Sequence, residues 1–432
     1  MDIEIAQLVA QLNHEDAESR LQAIRMLMEK VNEGKVERPV QGNDVNNHIH
    51  TTYSFSPYSP TKAVWMAYRA GLKTAGIMDH DSISGAREFI EAGKIVGIAT
   101  TIGVECRANF SQTPLNGRMI NNPDQKTIAY VAIHGIAHTQ IDRVKNYFAK
   151  YVDERNKRNR LMVGRINQIL APYDIHISFE DDVVPLSRSH EGGSITERHL
   201  LYALSLKMIE KFGKGNKLLD FLREELGLDI KPRIAGYLSD PDNPYYAYDL
   251  LGALKSDMVA QFYIDATAEC PDVREVVKLA SEIGAVLAYA YLGDVEDSVT
   301  GDKKKQKFED DYLELLFEVI GELGFNAVTY MPSRNSLKQL KRVKELCEKH
   351  GFFQISGEDI NSPRQSFVCT KLRDREFSNL VDSTWALIGH EKAVTRDIGK
   401  GLFSPDTVSK YPDLKKRIDV YKKIGLGLCQ PE

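Results

Sequence analysis

From Asp44 onward short apolar runs alternate with amphipathic segments, and that alternation restricts the chain to few folds. Strand-like runs "AGIMDH" (75–80), "IVGIATTIGVE" (95–105) and "TIAYVAIHGI" (127–136) are separated by helical patterns such as "PTKAVWMAYRAG" (60–71) and "GAREFIEAGKIVG" (85–97). A strand followed by a helix, repeated, is the rhythm of βα units wrapped around a parallel sheet. The rhythm breaks between about 139 and 275, where long helical patterns take over, and resumes with "GAVLAYAYLGD" (284–294), "GFNAVTYM" (324–331) and "FFQISGEDIN" (352–361).

The expected organisation is therefore an α/β barrel in two parts, 39–138 and 276–385, split by a helical insertion at 139–275. Residues 1–38 read as a helical hairpin, with Leu8 and Leu12 on one face, Asn13 placed to cap a second helix, and Leu21, Ile24, Met28 and Val31 at helical spacing. Residues 386–432 read as a helical tail packed outside the barrel.

Charge excludes some functions. The 56 Lys+Arg and 61 Asp+Glu leave a formal net charge of -5, so no global basic field points to a nucleic-acid binder. Nucleic acid is expected only as a short substrate. The five cysteines contain no C-x-x-C pair, which argues against a disulfide framework or a zinc ribbon and fits a reducing, cytoplasmic setting. The acidic start "MDIEIAQLVAQLNHEDAE" is unlike a signal peptide, and no apolar run has the length to span a bilayer, so no membrane partner is expected.

In α/β barrels chemistry collects where strands end. His48 and His50 in "NNHIHTTYSFSPYSP" end the first strand, and period-two geometry aims both the same way. Asp79, His80 and Asp81 end the second, Glu105 the third, His134 the fourth, and Glu358 and Asp359 a late one. Each has an ordinary explanation taken singly: Asp81 as a helix cap, Glu105 and His134 as rim residues bonded to backbone. Their recurrence after successive strands favours a metal site.

These motifs resemble the polymerase-and-histidinol-phosphatase family, recognised by H-x-H, D-H-D, a glutamate, a further histidine, an A-H-P-G strand end and a final G-S-D-x-H. Here stand "HIH" (48–50), "DHD" (79–81), "GVE" (103–105), "AIHG" (132–135) and "GEDIN" (357–361). The resemblance covers about 44 to 365 and implies a distorted barrel of about seven β/α units that binds up to three metals and hydrolyses phosphate esters, with an insertion over the site in one subgroup of small phosphoesterases. Carried over by position, the implied metal set is His48, His50, His80, Glu105, His134 and Asp359, and the catalytic carboxylates are Glu105, Asp79 and Asp81. Arg198 and His199 in "TERHLL" resemble that subgroup's phosphate-binding helix, and Arg334 in "MPSRN" is a further cation for a small phosphorylated substrate. The run "ERNKRNR" (154–160) reads as a solvated helix face.

Three departures bear on activity. Tyr291 replaces a ligand histidine in "AYLG", Asn361 replaces the last histidine, and Phe55 stands where an acid often follows the first motif. One or two divalent ions per chain are expected, and ligands without cysteine suit Mn, Fe or Zn. Two readings follow: metal-activated water hydrolysing a phosphomonoester of a nucleotide or an oligonucleotide end, or a catalytically impaired barrel that binds a metal and a phosphorylated ligand.

Overall fold

A computed structural model describes residues 3–295 and 306–430. One seven-stranded sheet runs in sequence order: β1 Val45–Ile49, β2 Thr74–His80, β3 Ala99–Asn109, β4 Ile128–His134, β5 Val286–Ala290, β6 Ala327–Tyr330 and β7 Phe353–Ser356. It curls until the chain just past β7 meets β1, where His50 N–H donates to the Ile360 carbonyl and Ile360 N–H to the His48 carbonyl. The result is a nearly closed, distorted α/β barrel.

One strand departs from the expected parallel order. β4 runs antiparallel to both neighbours, with Glu105 opposite Ala132 and Gly103 opposite His134. The chain from Asn109 to Ile128 turns back beside β3 without an intervening helix, and a return on the same edge pairs antiparallel.

The helices are α1 Ile3–Gln11, α2 Ala17–Asn32, α3 Pro60–Arg69, α4 Ala86–Val96, α5 Ile141–Leu170, α6 Glu197–Phe212, α7 Asn216–Asp220, α8 Pro232–Ser239, α9 Tyr246–Phe262, α10 Val273–Glu282, α11 Leu313–Leu323, α12 Leu337–His350, α13 Ser378–Arg396, α14 Pro405–Lys410 and α15 Leu414–Gly425. Outward strand residues such as Ile77, Val104, Val131 and Val328 share one core with α2–α4 and α10–α12. A second core spans Met162 to Phe262 within the insertion and takes in Phe55 from the loop after β1.

The C-terminal helices do not pack outside. Ala132, Ala288, Ala327, Phe353 and Ile355 face into the barrel and pack on Ala386 and Leu387 of α13 and on Tyr421 and Ile424 of α15. Small residues on the inner face leave room for a helix to plug the lower end. α13 and α15 touch at Gly389 and Gly425, where a Cβ would meet the Tyr421 and Trp385 carbonyl oxygens at 1.9 and 2.0 Å.

α1 and α2 pack against each other, and α2 is capped not by Asn13 but by Asp16, whose carboxylate accepts from Ser19 N–H at 2.7 Å. Asn13 is used elsewhere: its amide donates to the Pro57 carbonyl and accepts from Ser59 N–H. Fully buried Arg20 docks the hairpin by a two-bond pair with Glu88. No helix among the described residues is long and apolar enough to cross a membrane.

Candidate metal centre

Parallel pairing of β2 with β3 sets His80 beside Glu105, and β1 brings His48 and His50 to the same mouth. Glu105 Oε2 lies 3.1 Å from His80 Nδ1, 3.6 Å from His48 Nε2 and 3.9 Å from His50 Nε2. Asp359, in the loop after β7, brings Oδ1 to 3.2 Å from His50 Nε2. Two overlapping triads result, His48–His50–Asp359 and His50–His80–Glu105, each with donor atoms within 4.8 Å of one another. Imidazole and carboxylate oxygens converging without cysteine form the donor chemistry of a borderline divalent cation.

Hydrogen bonds from neighbouring side chains hold the cluster in place. Ser54 Oγ donates to Asp79 at 2.6 Å and lies 3.3 Å from His50 Nδ1, the ring nitrogen that does not face Asp359. Asn361 donates to Asp359 Oδ1 at 2.6 Å. Burial, helped by His50 and Arg155, pushes the His80 pKa well down and keeps the ring in its neutral, ligating form. Burial would raise the Asp359 pKa, but the hydrogen bond to His50 and the charges of His48 and Arg198 hold it well below the usual carboxylate range.

The other expected residues go to different places. His134 ends β4, and because that strand is reversed its end lies below the ligands, level with Gly103 and Val286; it joins neither triad among the described residues. Its buried Nε2 has no partner, and burial pushes its pKa down to about 3. From β4 it is Tyr130 that approaches the cluster, with its ring 5.7 Å from that of His80.

Asp79 points at the loop after β1, accepting from Thr51 N–H, Thr51 Oγ1 and Ser54 Oγ. Asp81 caps no helix; its carboxylate lies 2.7 Å from Arg155 of α5. Arg155, Arg158 and Asn159 are buried, so the "ERNKRNR" segment is only half solvated. Its inner arginines join Arg107, Asp81, Glu197 and Glu269 in a charge-balanced cluster that ties the insertion to β2 and β3. Helical spacing of 155, 158 and 159 was the available signal for that face.

His199 is used locally: its Nδ1 accepts from Thr196 N–H at the start of α6, and burial pushes its pKa down to about 3. Phe55 meets its ring at 5.0 Å, edge to face. Tyr291 donates to Asp310 and Tyr289 to Glu309, both away from the ligands. Arg334 lies in the turn after β6, next to Ser333, which donates to Glu358.

Arg198 lies close enough to Asp359 to lower its pKa, and it has a neighbour no sequence signal marked. Lys255 of α9 is exposed to solvent. Its pKa is pushed down to about 8, first by Arg198 and then by burial, against the pull of Asp124, Asp359 and Glu197.

Comparisons with known proteins bear on the fold and the family. A crystal structure from Bifidobacterium adolescentis, provisionally described as a metal-dependent phosphoesterase, superposes with a TM-score of 0.51 at 20% identity, covering 79% of this chain and 96% of the other; the likeness is one of fold. A 5'-3' exoribonuclease of Haemophilus influenzae is 41% identical over 63 residues, 15% of this chain and 23% of that protein. An error-prone DNA polymerase of Nocardia farcinica is 42% identical over 60 residues, 13% of this chain and 5% of that protein. The matched stretches thus span under a quarter of either relative. The family model described as PHP domain matches residues 46–353. With His48, His50, His80 and Glu105 inside a matched span of 308 of its 432 residues, this chain belongs to the PHP domain family.

Proposed function

We propose that this chain is a metal-dependent phosphoesterase acting on a small phosphomonoester, with a nucleotide or an oligonucleotide end as the candidate class. The observation that carries the reading is the convergence of His48, His50, His80, Glu105 and Asp359 at one barrel mouth. These residues would hold one or two divalent ions, of the manganese, iron or zinc type, that supply Lewis-acid polarisation of a phosphate oxygen and an acidified water. Glu105, nearest to three imidazoles, is the shared carboxylate of the centre.

Arg198 and Lys255 supply positive charge beside Asp359, where a substrate's phosphate would otherwise meet carboxylates alone. The insertion lies over the mouth: Ser194 Oγ donates to the His80 carbonyl, and Arg364 in the loop after β7 makes a two-bond pair with Asp249 of α9. Restricting water there strengthens each charge interaction inside.

A second reading, an impaired barrel that binds a phosphorylated ligand through a single ion, draws on the positions of His134 and Tyr291 away from the ligands. One experiment separates the two. Phosphate release from small phosphomonoesters and 5'-phosphorylated dinucleotides is measured with added Mn2+ in the wild type and in Glu105→Gln. The hydrolase reading expects turnover that falls at least about a hundredfold in the variant. Turnover retained by Glu105→Gln overturns the metal mechanism, and a bound ion without turnover in the wild type selects the second reading.

A further inference from the structure

The hairpin α1–α2 lies outside the span matched by the family, yet its turn is hydrogen-bonded to the loop that follows His50 and to Arg188 of the insertion. The nine residues 51–59, between His50 and α3, form no strand or long helix and depend on outside contacts for their shape. At one end Asn13 bonds the Pro57 carbonyl at 2.8 Å and Ser59 N–H at 2.9 Å, and Ser59 Oγ donates to the Leu12 carbonyl. At the other, Arg188 of the insertion donates to the Glu15 carbonyl at 2.9 Å, the His14 carbonyl at 3.2 Å and Glu191 Oε1 at 3.0 Å. Glu191 accepts from Tyr53 Oη at 2.5 Å, and Ser194 N–H bonds the Tyr53 carbonyl. Gly193 permits this approach, since a Cβ there would meet the Tyr53 and Arg188 carbonyl oxygens at 2.9 Å. The next residue, Ser54, is the one that bonds His50 Nδ1.

We propose that the hairpin turn and Arg188 form a clasp that positions the 51–59 loop, and through Ser54 orients His50, for the metal centre. Arg188 and Asn13 are positioning residues. An irregular loop would otherwise sample many arrangements, and holding it in advance removes that ordering cost from ion binding. The inference rests on reading the five clustered side chains as metal ligands.

The test uses the full chain stripped of metal and titrated with Co2+, following visible absorption, in the wild type, Arg188→Gln, Asn13→Ala and the control Arg25→Ala, whose exposed partner Glu18 lies on the hairpin away from the loop. The clasp predicts that Arg188→Gln and Asn13→Ala each weaken Co2+ binding by about fivefold to tenfold and alter the ligand-field spectrum, that Arg188→Lys recovers part of the loss, and that Arg25→Ala changes nothing. Asn13 is exposed, so its variant carries the test should Arg188→Gln fail to fold. Unchanged affinity and spectrum overturn the clasp, including where only the metal-free thermal midpoint falls. A wild type that takes up no Co2+ removes the metal centre itself, and this inference with it.

Discussion

Lys255 shows how much a site depends on residues far apart in sequence. It is more than fifty positions from Arg198, yet the Arg198 charge first, and then burial, push its pKa down to about 8. Below that value the ammonium is charged and can hold a phosphate; above it the charge is lost. KM for a phosphate ester should therefore rise as pH increases through about 8, while Lys255→Arg, charged throughout, keeps it flat to about pH 9. Identical profiles in the two proteins would remove Lys255 from the site. His48, His50, His80, Glu105 and Asp359 were legible in the sequence because each ends a strand-like run and is of a ligating type. Asp79, Asp81 and His199 were legible only as chemistry: a carboxylate or imidazole looks the same whether it meets a substrate or, as here, Thr51, Arg155 and Thr196.

Helical periodicity identified α1 and α2 but not what they dock on. The buried Arg20–Glu88 pair answers that, since Glu88 Oε1 also accepts from Thr61 N–H and Oγ1 at the start of α3. Removing one partner strands a buried charge: Arg20→Ala should cost about 3–5 kcal/mol of unfolding free energy, and adding Glu88→Leu to Arg20→Met should recover most of it. Urea unfolding followed by circular dichroism reads both, and a cost under about 1 kcal/mol for Arg20→Ala would mean that the hairpin is not docked through this pair. β4 and the "ERNKRNR" segment of α5 were misjudged for related reasons. Period-two alternation marks a strand without its direction, so it could not show that the end of β4 brings His134 level with Gly103 rather than Glu105. A high charge count on a helix suggests solvent, but Arg155 and Arg158 find Asp81, Glu197 and Glu269 only once α5 crosses the barrel mouth.

At the scale of the whole molecule, a cation that binds the native state alone must stabilise it. Chelator-stripped protein should take up one or two ions per chain and gain at least about 3 °C in thermal midpoint on adding Mn2+ or Zn2+ at saturating concentration. Three tightly held ions would contradict the placement of His134 and Tyr291, and no uptake would dissolve the centre. The sequence by itself determined the βα rhythm and offered candidate ligands at strand ends, because burial patterns of period two and 3.6 are local and metal-type residues at strand ends can be read directly. Only the tertiary structure decided that β4 is reversed, that α13 packs on the inner strand residues, and that Arg155 and Arg158 pair with Asp81, Glu197 and Glu269. Those outcomes turn on which surfaces meet between separate parts of the chain, and an amphipathic pattern states that a face is buried without stating against what.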